Sequence, residues 1–324
     1  MSNIRGNEVK YENGVFSIII DAKHFEGKGI KEKLELEKNI NRFVNTLIEN
    51  CKFFSIRYLI EKLKTANFVH LEKPKELLNG EKLDGEYDEV TNTLSYINVA
   101  DIFHELFHMT AKVITEKYAE TENTNTHTIK RWGLSFNLDA KNTDSEYIGI
   151  GLDEGMTELL RYKYFKSKDK SSYFFEMQIA KHVANLIGEN ELEKSYYSNE
   201  YTNVLLKLSK YTSFDETVHF LDCLDYYYKV NIGNKKKPNI KMFEECKEYI
   251  DYISWYLRKA YTNKLRMEKI SIPKRAEFFD SKLWFFENSI TISGKKKNLD
   301  FISDEEFANF YNKANGYYKK GINR

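Results

Sequence analysis

The sequence predicts an α+β fold, predominantly helical, on three observations. Only three prolines occur in 324 residues, so helices can run with few interruptions. Helix-period apolar patterning dominates beyond Ser171. The clearest strand-like runs stand in the first hundred residues, with one more in the tail.

Taken in order, VFSIII at 15–20 reads as a strand. From about Gly29 to Lys64 the spacing of Leu34, Ile40, Phe43 and Leu47, then Phe54, Tyr58, Leu59 and Leu63, is helical. Asn67 to Leu71 returns as a strand before a polar loop, EKPKELLNGEKLDG. In GEYDEVTNTLSYIN, Tyr87 on one side and Leu94 and Tyr96 on the other flank the turn-rich DEVTN, which predicts a hairpin. Residues 99–117 lack Gly and Pro. Their stripe of Phe103, Leu106, Phe107, Thr110, Val113 and Ile114 predicts a helix over the whole stretch, with Ala100, His104, His108 and Ala111 along a neighbouring face.

Residues 119–150 are rich in Asn, Thr, Asp and Gly and read as irregular. A second helix is expected from Asp153 through EGMTELLRYKYF, then mostly helix to about Met267, with a stop at Gly188 and punctuation at 233–239. The tail predicts a strand in LWFFENSITIS and a helix in DEEFANFYNKA. The expected division is an α+β part over 1–117 and a mainly helical part over 118–324.

Fifty basic against 49 acidic residues give a net charge of +1, which favours neither nucleic acid nor an anionic membrane as partner. The runs Lys235–Lys237 and Lys295–Lys297 read as solvated loops. Cys51, Cys223 and Cys246 are odd in number and contain no CxxC, which fits a reducing compartment. The opening MSNIRGNEVKYENG lacks the apolar core of a signal peptide, and no early apolar run is long enough to span a bilayer, so a cytoplasmic protein is expected.

Within DIFHELFH at 101–108 stand His104, Glu105 and His108. Histidines four apart on a helix point the same way, so both can reach one ion. Zinc prefers such nitrogen ligands, and the intervening glutamate can accept a proton from water activated there. A pair of hydrogen-bonded surface histidines would demand no third ligand; a metal site does. GLDEGMTELL at 151–160 offers Glu154 and Glu158 one turn apart, 46 positions beyond His108.

Here the sequence resembles the gluzincin metallopeptidases, in which HExxH is followed by a glutamate ligand on a later helix. The likeness covers roughly residues 85–165. It implies one Zn2+ per chain held by His104, His108 and Glu154, with Glu158 supporting a ligand histidine and Glu105 as general base. Asp153 stands where asparagine is more usual. The resemblance to the thermolysin-like and lethal-factor-like members further implies a tyrosine shortly before the ligand glutamate as hydrogen-bond donor to the developing oxyanion. Tyr147, seven positions upstream of Glu154, fits that place. Tyr162, Tyr164, Tyr196, Tyr197, Tyr201, His127, His182 and His219 are alternatives.

The expected reaction is hydrolysis of peptide bonds in a peptide or protein, with an edge strand at Leu94–Ile97 to receive an extended chain. A regulatory or toxin-like protease with one dedicated target is a second reading. A non-catalytic module tied together by zinc is a third, disfavoured because a structural site has no use for Glu105.

Overall fold

The computed structural model describes residues 6–76, 82–99, 102–119, 126–139, 146–166, 173–233 and 240–268, together with 291–292 and 295–296. It is an α+β fold, mostly helical. The chain opens with an antiparallel hairpin, β1 (Glu8–Glu12) and β2 (Val15–Ile19), joined by an Asn13–Gly14 turn. Phe16, Ile18 and Ile20 turn inward while Val15 and Ile19 stay exposed.

Helix α1 (Ile30–Asn50) buries Leu36, Ile40, Phe43, Val44 and Leu47. Its polar side chains seal the outer edge of β2. The N–H groups of Phe16, Ile18 and Ile20 donate to Asn45, Asn41 and Glu37 at 2.9, 2.9 and 2.8 Å, and Asn45 donates back to the Phe16 carbonyl at 3.0 Å. An edge that would otherwise recruit another strand is thereby covered. The helical pattern expected over 29–64 breaks at 51–55 and resumes as α2 (Ile56–Thr65), whose first turn is capped by Ser55 accepting from the Tyr58 N–H.

A second sheet combines β3 (Phe25–Glu26), β4 (Asn67–His70), β7 (Gly85–Asp88) and β8 (Thr93–Tyr96) in the order β3-β4-β8-β7. The short strands β5 (Lys75–Glu76) and β6 (Lys82–Leu83) pair separately within the stretch expected as loop. The β7–β8 hairpin is the one read from the sequence, but the exposed edge is not. Strand β8 is interior, parallel to β4 and antiparallel to β7, with Leu94 and Tyr96 buried, because its apolar face closes over the core. The edge expected at Leu94–Ile97 is instead Gly85–Asp88.

Helix α3 carries the HExxH residues and runs only over Ile102–Thr110. The expected helix to residue 117 is corrected at its end. Val113, Ile114 and Thr115 form a β-branched run that pairs in a sheet instead. That sheet is an antiparallel meander of β9 (Val113–Ala119), β10 (Thr126–Trp132), β11 (Ser135–Asp139) and β12 (Glu146–Ile148), lying where irregular chain was expected. The division expected at residue 117 falls inside β9, and one buried core runs from Phe16 to Tyr261.

Helix α4 (Ile150–Phe165) follows, three residues ahead of its expected start, and then come α5 (Phe174–Ile187), α6 (Glu189–Ser198), α7 (Tyr201–Leu208), α8 (Phe214–Gly233) and α9 (Ile240–Met267). Gly188 ends α5, as its sequence position implied. Rings of Phe43, Phe103, Phe107 and Phe165 cluster at centroid distances of 4.3–6.1 Å, fixing α1, α3 and α4 to one another. In the tail, β13 (Thr291–Ile292) pairs with β14 (Lys295–Lys296), so two of those lysines lie in a strand rather than a loop. The helix expected in DEEFANFYNKA and the run Lys235–Lys237 lie outside the described residues. The three cysteines are buried and form no disulfide. Among the described residues no helix is long and apolar enough to cross a membrane.

Candidate metal centre

On α3 the apolar side chains Ile102, Phe103, Leu106, Phe107 and Met109 are buried, while His104, Glu105 and His108 are only partly so. The core-facing stripe thus turns the three polar side chains toward α4. Helix α4 answers with acids that are themselves buried: Asp153, Glu154 and Glu158.

His104 Nε2 lies 3.0 Å from Glu154 Oε2 and 3.1 Å from His108 Nε2, and His108 Nε2 lies 3.5 Å from Glu154 Oε2. A tetrahedral ion with bonds of about 2.0–2.1 Å places its ligand atoms about 3.3–3.4 Å apart. The donor set and its triangle therefore fit zinc. The acids of the cluster favour positive charge on its two histidines. Burial disfavours charge on His104, but hydrogen bonds to Glu154 and Glu158 outweigh it and raise its pKa well above the ordinary histidine value. His108 is raised likewise, mainly by the charge of Glu154 acting against burial. Burial would raise Glu154, yet the two histidines hold it below the usual carboxylate range.

Each histidine is backed at its other nitrogen by a carboxylate. Glu158 Oε2 is 3.2 Å from His104 Nδ1. Arg161 grips the same carboxylate, with Nε donating at 3.0 and 3.1 Å and Nη2 at 2.8 Å. Burial alone would raise Glu158, but His104 and Arg161 bring it down to about 2. Asp153 Oδ2 faces His108 Nδ1 at 3.6 Å, and Asp153 Oδ1 accepts from the Leu134 N–H at 2.6 Å. Such outer carboxylates fix the ring orientation of a ligating histidine.

Glu105 sits beside the triangle. Burial raises its pKa against the opposing pull of His104 and His108. Its carboxylate lies over Gly85 at the edge strand; a Cβ there would stand 3.0 Å from Glu105 Oε1 and 3.2 Å from its Cγ. Only glycine leaves this carboxylate undisturbed.

The comparisons add no family. No protein-family model matches the chain, and no curated protein or solved structure matches it either.

The structure thus brings His104, His108, Glu154, Glu158 and Glu105 together. It places Tyr147 on β12, 43% exposed, with its ring edge-on to Trp132 at 5.7 Å. Among the described residues Tyr173 lies against the cluster, and Tyr196, bonded to Thr157 at 2.9 Å, lies near enough for Asp153, Glu154 and Glu105 to add to the rise of its pKa by burial. The Tyr173 ring stacks on His104 with centroids 5.2 Å apart and planes 25° apart. Burial raises its pKa well above the phenol value, reinforced by Glu154, Glu105, Glu176 and Glu158, so the hydroxyl keeps its proton.

Other histidines have structural partners. His24 bonds Asn67 at 2.8 Å, His70 pairs with Glu32 at 2.7 Å, His182 bonds Tyr261 at 2.9 Å, and His219 packs on Tyr252. His127 lies on β10, its side chain outside the described residues. Two neighbours of the cluster, Asp153 and Tyr173, were not among the residues expected at the site. Asp153 had a signal, an acid next to the ligand glutamate on a buried helix; Tyr173 had none.

Proposed function

We propose that the protein is a zinc-dependent metallopeptidase that hydrolyses peptide bonds in a peptide or protein substrate. The observation that carries this reading is the triangle of His104 Nε2, His108 Nε2 and Glu154 Oε2 with Glu105 beside it. Zinc bound there would supply Lewis acidity, polarising the scissile carbonyl and easing the ionisation of water.

The chain's own groups do the rest. Glu105 accepts the proton of the attacking water and delivers it to the leaving amine, a role suited to a carboxylate whose pKa burial has raised. Glu158 holds His104 with Nε2 facing the triangle, and Asp153 stands behind His108 at 3.6 Å. Among the described residues strand β7 (Gly85–Asp88) is an edge of its sheet next to Glu105, a place where an extended peptide could add as a further strand. Tyr173 presents a protonated phenol beside Glu154 and Glu105 as donor to the carbonyl oxygen as it gains negative charge.

The test is cleavage of casein or a mixed peptide library by the zinc-loaded protein, with Glu105→Gln as control. Cleavage by the wild type and none by the variant is expected. No cleavage of any peptide by a zinc-saturated wild type would leave only a binding role for the ion.

A further inference from the structure

Helix α8 meets the metal centre at two residues three apart. Asp225 spans the start of α4: its Oδ2 accepts from the Gly149 N–H at 2.6 Å and its Oδ1 from the Gly151 N–H at 2.8 Å. Helix α4 has no capping side chain of its own, since Gly149 occupies its N-cap. A carboxylate at this end meets the positive pole of the helix and satisfies two N–H groups that no helical carbonyl can reach. The two backbones lie close at that point, for a Cβ on Gly151 would stand 2.8 Å from the Leu224 carbonyl oxygen.

One turn along, Tyr228 stacks on Tyr173 with centroids 5.9 Å apart and planes at 30°. Tyr173 in turn stacks on His104. One helix thereby reaches both halves of the ligand set at one remove. Through Asp225 it fixes the start of the helix that carries Glu154. Through two aromatic rings it backs the imidazole of His104.

We propose that Asp225 and Tyr228 are positioning residues of the metal centre, so that α8 sets how tightly and in what geometry the site holds its ion. The proposal rests on the metal reading above. A ligand side chain is held on target by what packs behind it, and loss of such support typically costs 10–100-fold in metal affinity.

The experiment measures zinc affinity by competition with a chromophoric chelator, and the visible spectrum of the Co2+-substituted protein. The variants are Asp225→Asn, Tyr228→Leu, Tyr228→Phe, Tyr173→Leu and the double Tyr173→Leu/Tyr228→Leu. An asparagine at 225 can accept at only one oxygen. Asp225→Asn and Tyr228→Leu should each weaken zinc binding by about 10–100-fold and shift the Co2+ bands. Tyr228→Phe keeps the ring and should stay closer to the wild type than Tyr228→Leu. In the Tyr173→Leu background the effect of Tyr228→Leu should largely vanish, because the intermediary is already gone.

Wild-type affinity and an unshifted spectrum in both Asp225→Asn and Tyr228→Leu would overturn the proposal while leaving the metal site intact. Full additivity in the double variant would overturn the aromatic route. A wild type that binds neither ion would instead remove the metal reading itself. Should Tyr228→Leu fail to fold, Asp225→Asn and the Co2+ spectrum of Tyr173→Leu still decide between these outcomes.

Discussion

Asp153 joins two elements that the sequence keeps apart: one carboxylate oxygen faces His108 Nδ1 at 3.6 Å and the other accepts the Leu134 N–H at 2.6 Å. A single buried side chain thus bonds the turn of the β-meander and stands behind a zinc-ligand candidate. Asp153→Ala should weaken zinc binding by about 10–100-fold. It should also destabilise the fold by about 1–3 kcal/mol, because the Leu134 N–H is left buried without its acceptor. Chelator competition and denaturant unfolding of the metal-free protein measure the two effects separately; a variant that loses neither would detach Asp153 from the site.

The ligand set predicts metal content directly. Purified protein should carry close to one zinc per chain, and His104→Ala, His108→Ala or Glu154→Ala should each reduce it sharply, since two remaining ligands hold the ion poorly. Elemental analysis decides the matter. Full occupancy in Glu154→Ala would remove that residue from the set.

Replacing the base by its near-isostere should separate binding from chemistry. Glu105→Gln should keep zinc and thermal stability while turnover falls by about 10²–10⁴-fold, because the amide cannot take up the proton. Near wild-type turnover in a zinc-loaded variant would refute the proposed role.

Gly85 offers a subtler probe. The methyl of Gly85→Ala would stand 3.0 Å from Glu105 Oε1 and 3.3 Å from the Ser95 carbonyl oxygen. Turnover should fall by about 10-fold or more as the base is displaced, on the scale that small misplacements of a catalytic group cost. Zinc content should not change. Unaltered steady-state kinetics would mean that the carboxylate moves aside at no cost.

For the proposed oxyanion donor, a matched pair of variants distinguishes Tyr173 from Tyr147. Tyr173→Phe should lower turnover by about 10²-fold with zinc retained, whereas Tyr147→Phe, altering an exposed ring packed on Trp132, should behave as wild type. The opposite pattern would return the role to Tyr147.

Much of this arrangement is local in the sequence, and that part was legible. His104 with His108, and Glu154 with Glu158, are each one helical turn apart, so periodicity alone puts each pair on one face. Partners drawn from distant segments leave no such trace: Tyr173 enters from the start of α5 and Asp225 from the middle of α8. The meander was hidden for another reason. Its threonines, asparagines and charged residues resemble a loop in composition, although Thr128↔Asp139 through Trp132↔Ser135 pair without a break. The end of α3 was misjudged because Val113 and Ile114 continue the helical spacing of Phe107 and Thr110, while β-branching and pairing with Arg131 and Trp132 draw them into β9. The parallel pairing of β4 with β8 displaced the expected edge, since strand order depends on segments far apart in the chain.

The contacts between α1 and β2 act as a vernier. Four residues of helix advance about 6.0 Å and two residues of strand about 6.8 Å, so Asn45, Asn41 and Glu37 mesh with Phe16, Ile18 and Ile20 in one alignment only. A slip of one residue would present carbonyls where the helix offers acceptors, and would turn Phe16 and Ile18 outward. Because Phe43 of the same helix packs on Phe103 and Phe107 beside the histidines, a single-residue insertion between Phe16 and Ile20 should be felt as misalignment at a site that begins eighty residues later.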